Sequence, residues 1–187
     1  MKKIILTCII SSFILVLSAC QSTQKKAQFS QQDLQQKVSL FLKTYAFRED
    51  FELFLSFYAA DAVIEDVIRG EQAVGSKAIK TYLNWEDPDF SLGRSASHLV
   101  TEQISFDQNK AIIQGYFMPF IYQGVQLGPW RFTTILEFND ELKISKQTDW
   151  VNYTPKVIFN NSPNSNLKLK IPKYYFKTTP EQSSPIE

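Results

Sequence analysis

Histidine occurs once, cysteine twice and glycine only six times in 187 residues, and the formal net charge is +1. Each scarcity removes a class of function. One histidine among scattered carboxylates has no metal-ligand spacing, so no metal site is expected. With so few glycines there is no phosphate-cradling loop, and no serine or cysteine sits in a nucleophile motif, so no cofactor is implied. A near-neutral chain has no basic face for nucleic acid, and no nucleic-acid partner is expected. What is abundant is aromatic: 15 Phe, 8 Tyr and 3 Trp suit a large core or an apolar cavity.

The first residues, MKKIILTCIISSFILVLSACQ, combine two lysines, an apolar run from Ile4 to Leu17 and small residues before Cys20. That is the layout of a secretory signal peptide, here residues 1–19, with an apolar run short for a membrane span. Leu17-Ser18-Ala19-Cys20 resembles the lipobox of bacterial lipoproteins. The resemblance implies that Cys20 becomes the acylated first residue, bearing palmitate-type chains, and that the protein is a membrane-anchored component of the cell envelope. Gln21, rather than Asp, after the cysteine points to the outer membrane, facing the periplasm, where the cell has two membranes. Cys8 leaves with the signal peptide, so no disulfide is possible in the mature chain.

Residues 20–29 are polar and aperiodic, as a tether is. From Ser30 the chain becomes amphipathic: Ser30 and Asp33 form a cap, and Leu34, Val38, Phe41, Leu42 and Tyr45 recur at helical spacing. A second helix is predicted from Arg48, with Phe51, Phe54, Leu55 and Tyr58 on one face. Ala62–Ile68 reads as a strand closed at Gly70. A third helix follows from Ser76 to Trp85. The rest of the domain reads as long strands, 98–106, 111–122, 130–138 and 142–153, joined by short turns. Helices first and strands afterwards predict an α+β domain over 30–155, about three helices covering one face of a curved antiparallel sheet. A Pro/Asn/Ser-rich extension occupies 156–187. Within it LKLKIPKYYFK is open to three readings: an edge strand, a membrane-interface segment, or an extended strip packed on the domain.

Three stretches, FYAADAVIEDV with GSKAIKTYL, SHLVTEQISFDQNKAIIQGYF, and LKISKQTDW, together resemble the SnoaL-like or ketosteroid-isomerase-like division of the nuclear-transport-factor-like fold. The resemblance implies a cone-shaped sheet with an apolar pocket at its open end. It also supplies candidate catalytic residues. Asp66 falls where the steroid isomerases carry their general base, and on a strand it shares a face with Ile64 while Glu65 faces the other way. Burial there would raise its pKa; the alternative is a strand-end carboxylate bonded to backbone or to a tyrosine. His98 stands at the start of the first long strand, as an exchanger of protons or a structural hydrogen-bonder. Asp149 fits the last-strand aspartate of the epoxide hydrolases, without the accompanying Arg-x-Asp, and is otherwise a fold-stabilising residue. Tyr45, Tyr82, Trp85, Tyr116, Met118 and Trp130 are predicted pocket walls. The incomplete catalytic sets favour a domain that binds a small hydrophobic molecule or a partner without chemistry. The alternatives are a cofactor-free lyase or isomerase using Asp66 and His98 as a proton-transfer pair, and a homodimeric scaffold pairing through the outer sheet face.

Overall fold

The computed structural model describes residues 29–153 and 170–177. The signal peptide, Cys20, most of the tether, and positions 154–169 and 178–187 of the extension lie outside the described residues.

Helix α1, Gln31–Phe47, starts where Ser30 and Asp33 cap each other: the Asp33 amide donates to Ser30 Oγ and the Ser30 amide to Asp33 Oδ2, both at 3.1 Å. It buries Leu34, Val38, Phe41 and Leu42, the stripe its 3.6-residue period aligns. A short helix α2, Phe51–Leu55, capped by Asp50, stacks Phe54 on Phe41 with ring centres 4.9 Å apart. Strand β1 runs from Tyr58 to Asp66 and turns through Gly70, whose φ of +67° suits glycine, into β2, Glu71–Val74. Helix α3, Gly75–Leu83, ends at Asn84, whose amide donates to the Lys80 carbonyl. The remaining strands are β3 (Phe90–Ser91), β4 (Leu99–Asp107), β5 (Lys110–Phe117), β6 (Phe120–Tyr122), β7 (Val125–Leu127), β8 (Trp130–Phe138) and β9 (Ile144–Val151).

Six strands form the main sheet in the order β2-β1-β9-β8-β5-β4, and β3, β6 and β7 form a separate small sheet. Four of the five main pairings are antiparallel, but β1 and β9 run parallel, so the sheet is mixed rather than wholly antiparallel. The predicted strand 111–122 is two strands in different sheets, because Pro119 removes a ladder donor between Met118 and Phe120. Tyr58, predicted on the second helix, opens β1 instead.

The core lies between the helices and one face of the main sheet: Phe41, Phe54, Ile64, Ile79, Ile113, Leu136, Phe138 and Ile144 are almost wholly buried. Each such side chain contributes about 1.5–3 kcal/mol. A second cluster, Val100, Tyr116 and Met118, is covered by Ile171, Tyr175 and Phe176 of the strap formed by residues 170–177. The strap is held by backbone: the Ala96 amide donates to the Tyr175 carbonyl and the Lys177 amide to the Arg94 carbonyl, both at 2.9 Å. It includes one turn of 3-10 helix, Lys173–Tyr175. Among the described residues no helix is long and apolar enough to cross a membrane.

Candidate functional site

Strand register decides which polar side chains enter the cone. Parallel pairing of β1 and β9 sets Asp66 opposite Asp149, and antiparallel pairing of β8 and β9 sets Thr134 opposite Asp149. A polar row therefore crosses three strands on the helix-covered face. The next row, Ile64, Gln147 and Leu136, adds one amide.

Asp149 is held at both oxygens. Thr134 Oγ1 donates to Oδ1 at 2.6 Å and Gln147 Nε2 donates to Oδ2 at 2.7 Å. Gln147 Oε1 in turn accepts from the Tyr58 hydroxyl at 2.6 Å. Burial pushes the Asp149 carboxyl up to about 6, the negative charge of Asp66 adds to that rise, and the two donors oppose it.

Asp66 is 1% exposed, yet none of its oxygens lacks a partner. Oδ1 accepts from the amides of Ile68 at 3.1 Å and Arg69 at 3.0 Å, and Oδ2 accepts from the hydroxyls of Tyr153 and, at 3.4 Å, Tyr82. Its main-chain carbonyl accepts from the Gly70 amide at 2.9 Å. Asp66 thus ties the β1–β2 turn to the last strand's end. Its neighbour Glu65 points to the other face, where Lys146 Nζ lies at 2.9 Å.

His98, 7% exposed, lies elsewhere. Its ring packs among Phe117 (4.9 Å), Tyr45 (5.3 Å) and Phe90 (5.5 Å), and its Nδ1 is buried without a partner. Burial, with the nearby Arg48 guanidinium, depresses its pKa to about 3, so the imidazole is neutral at physiological pH. No hydrogen bond joins His98 to Asp66 or Asp149 among the described residues.

The predicted pocket walls divide. Tyr45 faces the cone interior, where burial and then the charge of Asp149 hold its hydroxyl above the ordinary range. Tyr82 reaches Asp66. Trp85 stacks on Phe51, Phe54 and Tyr45 between the helices. Trp130 packs edge-on to Phe120 and Tyr153, its Nε1 buried without a partner. Tyr116 and Met118 are not walls of the cone. On β5 the alternation sends Ile113, Gly115 and Phe117 inward, so Tyr116 points outward, and Met118 joins it beneath the strap.

The space inside the cone is small. Phe41, Leu42, Tyr45, Phe117 and Phe132 close around Asp149 and leave a cavity of about 10 Å³, about enough for one water molecule. Neither Asp66 nor His98 lines it. A larger groove, about 560 Å³, crosses the other side of the sheet, with Ile68, Gln114, Arg131, Thr133, Trp150 and Tyr153 in its walls. Among the described residues no cluster of His, Cys, Asp and Glu is placed to hold a metal ion.

Sequence reasoning missed Tyr153 and Gln147 as partners of these carboxylates, and Tyr58 as the partner of Gln147. Strand alternation from Asp149 flags Gln147 and Tyr153 as sharing its face, but the pairing with Asp66 comes from a parallel contact between distant segments.

No protein-family profile matches the chain, and no curated protein sequence is similar to it. Solved structures are similar in fold. An NTF-2 like protein of unknown function from Burkholderia xenovorans superposes with a TM-score of 0.51 at 18% identity, covering 67% of this chain and 88% of that one. A putative SnoaL-like polyketide cyclase from Shewanella putrefaciens gives 0.54 at 14% identity, covering 65% and 90%. An LEH-like epoxide hydrolase of M. tuberculosis gives 0.52 at 17%, covering 65% and 84%. The fold is therefore the NTF2-like cone. Identities at this level establish the fold and leave the activity to the site.

Proposed function

We propose that this chain is a lipid-anchored domain of a bacterial cell envelope that binds a small apolar ligand or partner group without chemistry, on the outer side of its sheet. The observation that carries this reading is the state of the cone. Its carboxylates are bonded to partners within the chain, its histidine is neutral and apart from them, and its cavity admits no substrate larger than water. Catalysis needs groups poised at a space a reactant can occupy. The groove beside Trp150 has the size of small-molecule sites, which run to about 300–1,000 Å³, and it offers Trp150, 39% exposed, as an aromatic wall.

Two measurements test this. The neutral fluorescent probe N-phenyl-1-naphthylamine should bind the protein, and Trp150→Ala should weaken it by about tenfold, whereas Asp149→Asn should not. Turnover of epoxide, dehydratase or isomerase substrates that disappears in Asp66→Asn would replace this reading with the enzymatic one. The anchor has a separate check: Cys20→Ala should release the protein from membranes, and unchanged retention would overturn that part. A second copy covering the groove would appear as a dimer on size-exclusion chromatography that Trp150→Ala dissociates.

A further inference from the structure

Away from both the cone and the outer groove, the small sheet and the strap enclose another groove, of about 500 Å³. Its walls are Leu92, Pro119, Phe120, Ile121 and Phe176, and the Ser95 hydroxyl beside them is already committed to the Pro119 carbonyl at 2.5 Å. The groove is thus mainly apolar, with polar groups at Arg94 and Gln126.

Charge gathers beside it. Arg94 lines the groove, Lys177 is joined to it by the amide-to-carbonyl bond, and Lys170 and Lys173 precede on the same strap. All four are exposed, and none makes an ion pair among the described residues. The strap itself contains no carboxylate. Several other surface cations are matched among the described residues: Arg69 with Glu71, Lys80 with Glu52, Lys110 with Glu137, Arg131 with Glu102 and Lys146 with Glu65. Here four cations without an ion pair among the described residues stand on or beside one apolar slot, with no carboxylate on the strap between them. Tyr174, 75% exposed between Lys173 and the half-buried Tyr175, adds an amphipathic ring of the kind that favours lipid–water boundaries.

We propose that this groove is a binding site for an acyl chain bearing an anionic head group: Leu92, Phe120, Ile121 and Phe176 take the chain, and Arg94 with Lys177 and Lys173 takes the head. A nucleic acid or acidic peptide would satisfy the cations but leave the slot empty. A neutral apolar molecule would fill the slot and leave the cations unused. The amphiphile uses both. The site is independent of the Trp150 groove, and neither stands or falls with the other.

The core described above starts at Phe29, so a chain from Gln21 keeps all of it. That chain is titrated calorimetrically with lauroyl lysophosphatidylglycerol, lauroyl lysophosphatidylcholine, laurate and inorganic phosphate, each below any micelle-forming concentration. Either anionic amphiphile should bind about tenfold more tightly than the choline lipid at about 50 mM salt, and the preference should shrink at about 0.5 M. Which of the two binds better distinguishes a phosphate from a carboxylate head. Arg94→Glu with Lys177→Glu should remove the head-group preference and leave weak binding of the chain. Ile121→Trp, which fills the slot without touching a charge, should abolish binding of both lipids while the thermal midpoint is unchanged. Equal binding of the anionic and choline lipids, inorganic phosphate competing as well as the lipids, or full binding by folded Ile121→Trp would each overturn the proposal.

Discussion

The two faces of one sheet solve opposite problems. On the helix-covered face the Asp66–Asp149–Thr134 row sits among Phe41, Phe132 and Phe117, and every carboxylate oxygen on it is matched to a donor within the chain. On the outer face the charges face water in pairs such as Glu65–Lys146 and Arg131–Glu102, and the free space is an open groove. Ionisable groups inside a cone do not by themselves make a catalytic pocket. Geometry inside is closed by aromatic packing, and polarity inside is consumed by internal bonding. Between the cone interior and the groove on the outer face, only the groove has space for more than a water molecule.

The largest test of that contrast removes an interior ring. Phe41 meets Phe54, Phe57, Tyr58 and Tyr45, with centroid distances from 4.9 to 6.2 Å. Phe41→Ala should cost about 3–5 kcal/mol in urea melts and open a cavity beside Asp149. A cost below about 1 kcal/mol would mean the interior is loosely filled after all. The next effect comes from Gly115, which pairs with Thr101 beside the irregularity in β4. A Cβ there would lie 2.2 Å from the Val100 carbonyl oxygen and 3.1 Å from Thr101 Cα, both backbone atoms that cannot swing aside. Gly115→Ala should therefore destabilise by about 1–3 kcal/mol or more, and a neutral outcome would place the β4–β5 crossing further apart than described.

Asp149 sharpens the comparison through pH. Its folded carboxyl titrates near 6, above the ordinary 3.8, so the native state takes up a proton at a pH where the unfolded chain does not. Ionised Asp149 thus opposes folding at pH 7 and above, and the opposition is relieved as pH falls through about 6, by a total of ~3 kcal/mol once pH lies below the unfolded value as well. Asp149→Asn removes this titration. Its absolute stability combines two opposing effects, because removing the buried charge favours folding while the bonds from Thr134 and Gln147 lose their charged acceptor. The difference between variant and native stability should nevertheless fall by about 2 kcal/mol between pH 7 and pH 4. A difference that stays constant across that range would show that Asp149 is not desolvated.

Much of this architecture is legible in the sequence where the signals are local. Ser30 and Asp33 mark the start of α1, and the stripe Leu34, Val38, Phe41, Leu42 marks its buried face, because capping and helical period act within four residues. Alternation along VIEDV places Asp66 inward and Glu65 outward for the same reason. The rest depends on contacts between distant segments. Phe54 and Tyr58 have helical spacing, but Tyr58 belongs to β1, since pairing with β9 outweighs local propensity. EQAV carries no strand pattern, and β2 exists because the Gly70 turn returns it to β1. The continuous apolar texture from Ala111 to Tyr122 hides the change of sheet at Pro119. The partners of Asp66 were beyond reach of any local reading, because Tyr153 is 87 residues away and arrives only through the parallel β1–β9 pair.

The smallest effect belongs to the outer face. Glu65 and Lys146 approach to 2.9 Å, and the lysine together with its hydrogen bond holds the glutamate below its usual carboxylate range. Both side chains are substantially exposed, so water and salt screen their attraction, and holding two long side chains in one geometry offsets what remains. Glu65→Gln with Lys146→Met should leave the thermal midpoint within the error of measurement at physiological salt, in contrast to Phe41→Ala one layer inward. Asp66, the very next residue, should behave differently: Asp66→Asn leaves the turn amides one acceptor oxygen but sets its amide group against, or in place of, the acceptor used by the Tyr153 and Tyr82 hydroxyls. Its midpoint should fall clearly, because a buried hydrogen bond to a charged acceptor is worth about 1.5–3 kcal/mol where an exposed pair contributes little. If the outer double variant lost as much as Asp66→Asn, the faces would not differ in the way their solvent exposure dictates, and the closed interior would no longer account for where the chain's charges are spent.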